Sequence, residues 1–327
     1  MEYFKPDDTW EVLGINSREE FVNTFVVVGK FHEDVPDDIV KSFKTVTYLL
    51  AHSYYYYPLL DEALSKALLI MEMAVKLKAK QLRIDLKRPP NKKGITYDKK
   101  LAEIIKEVCS QPYLSFLKLE FERARGLRNQ KMHPVKHSFM GIASRANSNA
   151  HLFINIINLL FSSQHELEQI NIKNKTLKEE LSIFKNGLFV LEYNETKILI
   201  VDIHSSKYVK GNRSGLFLLY VNPIFNNVDK IFIQKQYPDP LVLAFKSFNI
   251  NNSILEAIDS NDSPVRIYTT DKPENLSRWY LYSEELKKVE AADLNLYMNM
   301  NGNRVLWQME ALIYNNCWED THLISVK

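Results

Sequence analysis

Apolar residues recur at spacings of three and four through the first half of the chain. In the second half they alternate or form short continuous runs. That change of period predicts helices first and strands afterwards. Ser17, with Glu20 three residues on, predicts a capped helix carrying Phe21, Phe25 and Val28. After Pro36-Asp37-Asp38, the stripe Val40, Phe43, Val46, Leu49, Leu50 predicts a second helix, closed by Tyr54–Tyr57 before Pro58. The tyrosine run suits packing at a helix end, or stacking on bases. Leu64, Ala67, Leu68, Met71, Ala74 and Val75 predict a long helix over 61–83, with Glu72 at the edge of its buried face. A carboxylate placed there needs a cationic partner, and an arginine from another helix would supply one. Leu101, Ile104, Ile105 and Val108 predict the next helix, and Gln111-Pro112 breaks it. Leu114, Leu117, Phe121, Ala124 and Arg128 fall on one line of a helix ending near Met132.

From Phe153 the spacing stays regular: Ile156, Leu160, Ser163, Leu167, Ile170, Asn174, Leu177, Leu181, Phe184. This is a heptad seam, and Asn174 stands at a core position of the kind that fixes register in a two-stranded coil. The seam therefore predicts a homodimeric coiled coil over its second half, or a long helix packed within its own chain. Beyond Asn186-Gly187, β-type runs at 188–193, 198–203, 216–221, 230–234, 241–245 and 265–269 are separated by Asn and Asp clusters. They predict a sandwich or a barrel. A single helix is expected over 283–292. Leu294, Leu296, Met298 and Met300 alternate up to Asn301-Gly302, a hairpin turn signal, with 304–314 as the returning strand. Trp279, Tyr280, Tyr282 and Trp307 suit a core or a pocket lining.

The fold class expected is an α+β multidomain chain. It comprises a lead-in helix (1–35), an all-α helical domain (36–163), a coiled-coil connector (164–186) and a mainly-β C-terminal domain (187–327). Composition changes little in that picture: 46% hydrophobic and 25% charged residues are ordinary for a globular protein. Two distant cysteines, Cys109 and Cys317, give neither a disulfide framework nor metal-ligand spacing. The N-terminus has no apolar signal region, and no apolar run reaches 18 residues, so a cytoplasmic protein without a membrane span is expected. His151 to Phe161 is the most apolar stretch, and it is interrupted by Asn155 and Asn158.

Charge is more informative. The net charge is only +2, yet Lys76 to Lys136 holds 17 Lys and Arg against 6 Asp and Glu. A basic segment of this kind suits a polyanionic partner, or a solvated helical face. Within it, Lys87, Arg88, Lys92 and Lys93 lie in a Pro- and Gly-containing loop and are candidate phosphate contacts.

At the end of the line through Arg128 the chain reads Arg128-Asn129-Gln130-Lys131-Met132-His133, followed by Pro134. Proline disfavours helix at the residue before it, so His133 should sit where the helix stops. RNA carries its own nucleophile, the 2′-hydroxyl. Histidine can move the proton, and arginine offers a planar fork of donors to phosphate oxygens. Asn129 can hold either by hydrogen bonds. There is no H-E-x-x-H, C-x-x-C, P-loop or G-x-G-x-x-G pattern, so no metal or cofactor is expected. His137 is separated from His133 by the helix-breaking Pro134 and does not form a metal pair with it.

An Arg, a polar residue and a His with four residues between Arg and His, late in a helical domain, resemble the signature of the HEPN superfamily. Ala124-Arg125-Gly126-Leu127 and Leu69-Ile70-Met71-Glu72-Met73-Ala74 also look like that family. The resemblance covers about residues 35–165 and leaves 187–327 unidentified. It implies a four- or five-helix bundle and a metal-independent endoribonuclease, often a toxin or antiphage effector, whose motifs meet across a homodimer. On this resemblance Arg128, Asn129 and His133 are catalytic, Arg123, Arg125 and Lys131 bind flanking phosphates, and Glu72 is a possible supporting carboxylate. RNA is the implied partner. The C-terminal domain would bind a regulatory protein or ligand, or dock substrate. The alternatives are a non-catalytic dimeric scaffold that binds RNA or a partner protein, and a subunit of a toxin–antitoxin pair.

Overall fold

The structure is a computed structural model and describes residues 4–132 and 143–321. It divides into two compact units, 1–168 with 318–327, and 169–317. The chain is α+β: the first unit is helical and the second contains a closed six-stranded barrel.

The first unit runs α1 (Thr9–Val12), α2 (Arg18–Phe25), α3 (Asp37–His52), α4 (Leu59–Gln81), α5 (Leu101–Val108), a 3-10 turn (Pro112–Leu117), α6 (Lys118–Met132) and α7 (Ala143–Phe161). The unit boundary falls inside α8 (Gln164–Glu180). Ser17 caps α2 as its sequence predicts, accepting from the Glu20 amide, while the Glu20 carboxylate accepts from Asn16 N–H. α4 is the central helix. It buries residues on several faces, from Leu60 and Ala63 to Ile70, Met71 and Ala79, and packs against α3, α5, α6 and α7. A helix apolar over most of its circumference has to be enclosed in this way. Trp10 seals the start of the unit: its ring meets Phe21 at 4.6 Å and Tyr57 at 5.1 Å, and its Nε1–H donates to Ser53 C=O. Tyr54 and Tyr57 therefore pack at the helix end, and Tyr56 is exposed.

The two asparagines that interrupt the apolar run of α7 have structural work. Asn158 is fully buried; its Nδ2 donates to Lys30 C=O and its Oδ1 accepts from His32 N–H. It substitutes for a strand partner along an extended segment that would otherwise bury unpaired backbone groups. Asn158→Leu should lower stability by about 2–4 kcal/mol, since two buried backbone groups lose their partners. Chemical denaturation measures this, and a loss below about 0.5 kcal/mol would show that the segment finds other partners.

The second unit begins within α8 and passes through a 3-10 turn (Leu181–Phe184) into β1 (Phe189–Tyr193), β2 (Thr196–Lys210), β3 (Gly215–Pro223), α9 (Val228–Phe232), β4 (Leu241–Asn251), β5 (Ile254–Asp259), β6 (Pro264–Thr269), α10 (Pro273–Leu286) and α11 (Ala291–Cys317). The strands form an antiparallel meander, and β6 closes the barrel on β1 with Phe189 opposite Thr269. Two hairpins turn on paired positive-φ residues, Asn194-Glu195 and Asn252-Ser253, the twist that a two-residue loop requires. β2 carries irregular register between Ile200 and Ser205.

Four expectations are corrected here. The 294–300 and 304–314 strands are instead one helix, α11. Its buried residues Val305, Met309, Ile313 and Cys317 recur every four positions, and Gly302 lies within it with open space around a would-be Cβ. Tertiary burial overrides a turn signal whose glycine costs a helix only about 1 kcal/mol. The 230–234 strand is α9, capped by Asn227, whose Oδ1 accepts from Lys230 N–H. The helix expected over 283–292 starts earlier, with Pro273 in its first turn, and ends at Leu286.

The fourth correction concerns the seam. It breaks after Phe161, and Leu160, Leu167, Ile170, Leu177, Leu181 and Phe184 are all buried within the chain, so it presents no free stripe to a second copy. Asn174 does not set a coil register. Its amide pairs with the Tyr208 backbone of β2, Nδ2 to C=O and Oδ1 to N–H, both at 2.8 Å. α11 joins the barrel through Lys207 and the buried carboxylate of Glu310, 2.8 Å apart.

Candidate active site

α6 lies along α4 through Phe121 and Ala124, both buried, and this places Arg128 one turn further over α4. There its Nε donates to Glu72 Oε2 at 3.1 Å. Glu72 also accepts from Lys76 Nζ at 2.6 Å. The Glu72 side chain is 16% exposed and that of Arg128 25%. Burial works to raise the Glu72 carboxyl, but the hydrogen bonds and charges of Lys76 and Arg128 outweigh it and hold the group below its ordinary value. The carboxylate is thus charged at neutral pH and fixes the guanidinium.

Arg128 NH1 donates to Asn129 Oδ1 at 3.3 Å, and among the described residues its NH2 has no partner. A gap of about 10 Å³, close to the size of one water, lies between Met71, Glu72, Phe121, Arg125 and Arg128. His133 follows the last residue of α6 directly and lies outside the described residues, as do Lys136 and His137.

The structure gives the other sequence-predicted residues different surroundings. Lys131 pairs with Asp61 at the start of α4, and both side chains are largely buried. Arg125 pairs with Glu122 at 2.6 Å on its own helix. Arg88 pairs with Glu103 at 2.7 Å. Arg123 is half-buried and makes no ion pair among the described residues. Lys87, Lys92 and Lys93 are exposed on an ordered hairpin-like loop. Lys87 bridges Asp98, the Asn91 side chain accepts from the Lys93 and Ile95 amides, and Gly94 takes a positive φ. The candidate contacts thus divide: Arg88, Arg125 and Lys131 pair with carboxylates of the chain, while Lys87, Lys92 and Lys93 face solvent on one loop, and Lys80, Arg83, Lys100, Lys106 and Lys118 of the basic segment are exposed as well.

Sequence reasoning missed the Asp61–Lys131 pair. Its only signal was an acidic residue among the apolar positions at the start of α4. It also missed Asn222 and Asn301 of the second unit, which resemble turn residues in sequence and line a cavity in the fold.

Among the described residues, no group of three or more His, Cys, Asp or Glu is placed to hold a metal ion. No helix among them is long and apolar enough to cross a membrane. Comparison with family models, curated proteins and solved structures finds no match to this chain.

Proposed function

We propose that the helical unit is a metal-independent endoribonuclease in which Arg128 holds the scissile phosphate and His133 moves the proton. The observation that carries this reading is the guanidinium of Arg128. Glu72 and Asn129 fix two of its nitrogens, and among the described residues its NH2 has no partner; the arginine stands five residues before His133. A fork fixed on one side and open on the other is suited to bidentate or single contacts with phosphate oxygens.

In the reaction, the 2′-oxygen attacks phosphorus as its proton passes to the His133 imidazole, and the P–O5′ bond breaks. The 5′-oxygen takes up a proton, leaving a 2′,3′-cyclic phosphate and a 5′-hydroxyl. Arg128 stabilises the charge that builds on the non-bridging oxygens. A site shared between two copies through the helical unit would bring a second histidine to the same phosphate, one as base and one as acid. Lys87, Lys92 and Lys93, exposed together on one loop, would guide the RNA backbone. A nuclease with this chemistry suits a toxin or antiphage role.

One observation favours a second reading, a non-catalytic scaffold that binds RNA or a partner protein. Arg125, Lys131 and Arg88 all have carboxylate partners within the chain, as structural cations do. Purified protein in EDTA, offered total RNA, separates the two. Wild type is expected to release fragments with cyclic phosphate ends, and His133→Ala to lose about 10²–10⁴-fold in rate. Equal cleavage by both proteins would sink the nuclease, and binding without cleavage would leave the scaffold.

A further inference from the structure

The second unit holds a cavity of about 360 Å³ between β2, β3 and the helices α9, α10 and α11. That is the size range of small-molecule sites, on the order of 300 Å³ and above. Its walls are aromatic: Phe225, Phe232, Tyr282 and Tyr297, with ring pairs 5.4–6.4 Å apart.

Its polar side is built by a strand irregularity. In a regular strand successive side chains face opposite ways. In β2, Ile203 pairs with Val221 and Ser205 with Tyr220, so His204 is an extra residue without a partner on β3. The bulge lets both His204 and Ser205 line the cavity.

Behind them the Tyr220 hydroxyl organises two amides. It donates to Asn222 Oδ1 at 3.0 Å and accepts from Asn301 Nδ2. Because one hydroxyl has one proton, the two amides are held in opposite senses. Asn222 is left with an N–H donor and Asn301 with a carbonyl acceptor, and neither atom has a partner among the described residues. Asn301 is only 7% exposed. An acceptor on a nine-tenths buried residue that lines the cavity, with the donor of a second lining amide, is complementary to a ligand edge with one donor and one acceptor.

The charge around the cavity selects further. No lysine or arginine lines it. Arg304, on α11, directs its donors to the Tyr237 and Pro238 carbonyls and to Asp239. The Asp202 carboxylate lies 3.8 Å from His204 Nδ1. Burial pushes the Tyr282 phenol up to about 12, so it remains a neutral hydroxyl. An anionic group would find no counter-charge here.

We propose that this cavity binds a neutral planar heteroaromatic of nucleobase or nucleoside size, held between the aromatic walls, with its amide-like edge read by Asn222 and Asn301. Every residue used lies in the second unit, so the proposal stands or falls apart from the nuclease reading.

The test is calorimetric titration and thermal shift of the full chain with uridine, cytidine, adenosine, guanosine and nicotinamide. The four nucleoside 5′-monophosphates and choline serve as contrasts. At least one neutral ring is expected to bind with Kd below about 1 mM. Its 5′-monophosphate should bind at least about tenfold more weakly, and Asn222→Ala should weaken the neutral ring by about 10–100-fold. Asn301→Leu should do the same; if it fails to fold, Leu294→Phe, which only fills the cavity, should abolish binding while keeping the unliganded melting temperature. No binding by any neutral ring would overturn the proposal. So would tighter binding of choline, which would make the walls a cation cage, or equal binding of nucleotide and nucleoside.

Discussion

Trp318→Ala is expected to lower the stability of the helical unit by about 3–5 kcal/mol, the largest loss from any single substitution considered for this chain. Trp318 is 1% exposed and is the first residue of the C-terminal segment that belongs to the helical unit. Its Nε1–H donates to Asn155 Oδ1 at 2.8 Å in the middle of α7, and its ring stacks on His32 at 6.2 Å. Three residues later the Thr321 N–H donates to Phe31 C=O. The indole thus fills a space bounded by α7 and the extended segment that Asn158 also holds. Truncation to Ala opens a cavity there and removes a buried donor, and the two losses add. Trp318→Phe keeps most of the apolar volume and loses the N–H, so it should cost about 1–2 kcal/mol. Denaturant unfolding followed by far-UV circular dichroism reads both. If Trp318→Ala stays within about 0.5 kcal/mol of wild type, the tryptophan is not the plug that its burial indicates.

Why this tryptophan was invisible in the sequence is instructive. Asn155 and Asn158 were legible as polar residues in an apolar run. Nothing in their spacing named partners more than a hundred residues away. Local information was legible: the Ser17 cap, the α3 and α4 stripes, the change of period after Asn186, and the need of Glu72 for a cation all follow from neighbours within a turn or two. Competition between local signals was not. Asn301-Gly302 is a good hairpin turn in isolation, and α11 forms because Val305, Met309, Ile313 and Cys317 bury one face against the rest of the second unit. The heptad spacing through Asn174 was read correctly as a buried seam. Asn174 itself pairs with the Tyr208 backbone of β2, a partner that spacing alone does not name. In the candidate site, the line from Leu114 to Arg128 predicted an inward arginine, and the fold supplies Glu72. The internal partners of Lys131 and Arg125 were hidden because a charge count does not distinguish paired cations from free ones.

That distinction decides the second large effect. If Arg128 contacts the phosphate, Arg128→Ala should reduce RNA cleavage by about 10²–10³-fold, the usual cost of removing one preorganised donor from a developing oxyanion. Arg128→Lys should recover part of it, because an ammonium keeps the charge but not the fork. Stability should change little in both. Glu72 keeps Lys76 at 2.6 Å when the guanidinium is gone, so the partly buried carboxylate is not left unpaired and the loss should stay at about 1–2 kcal/mol. Glu72→Gln is the informative companion. It removes the negative charge but keeps an oxygen to accept from Arg128 Nε, so the fork stays in place. Cleavage should then fall by less than about tenfold, a loss of orientation rather than of the phosphate contact. The opposite pattern would be equal losses of cleavage in Arg128→Ala and Glu72→Gln, with melting temperatures falling in step. It would mean that the pair only fastens α6 to α4, and it would remove Arg128 from the chemistry. The two roles of one guanidinium separate because Glu72 takes its Nε–H: a staple depends on that bond, and a phosphate contact on the remaining N–H donors.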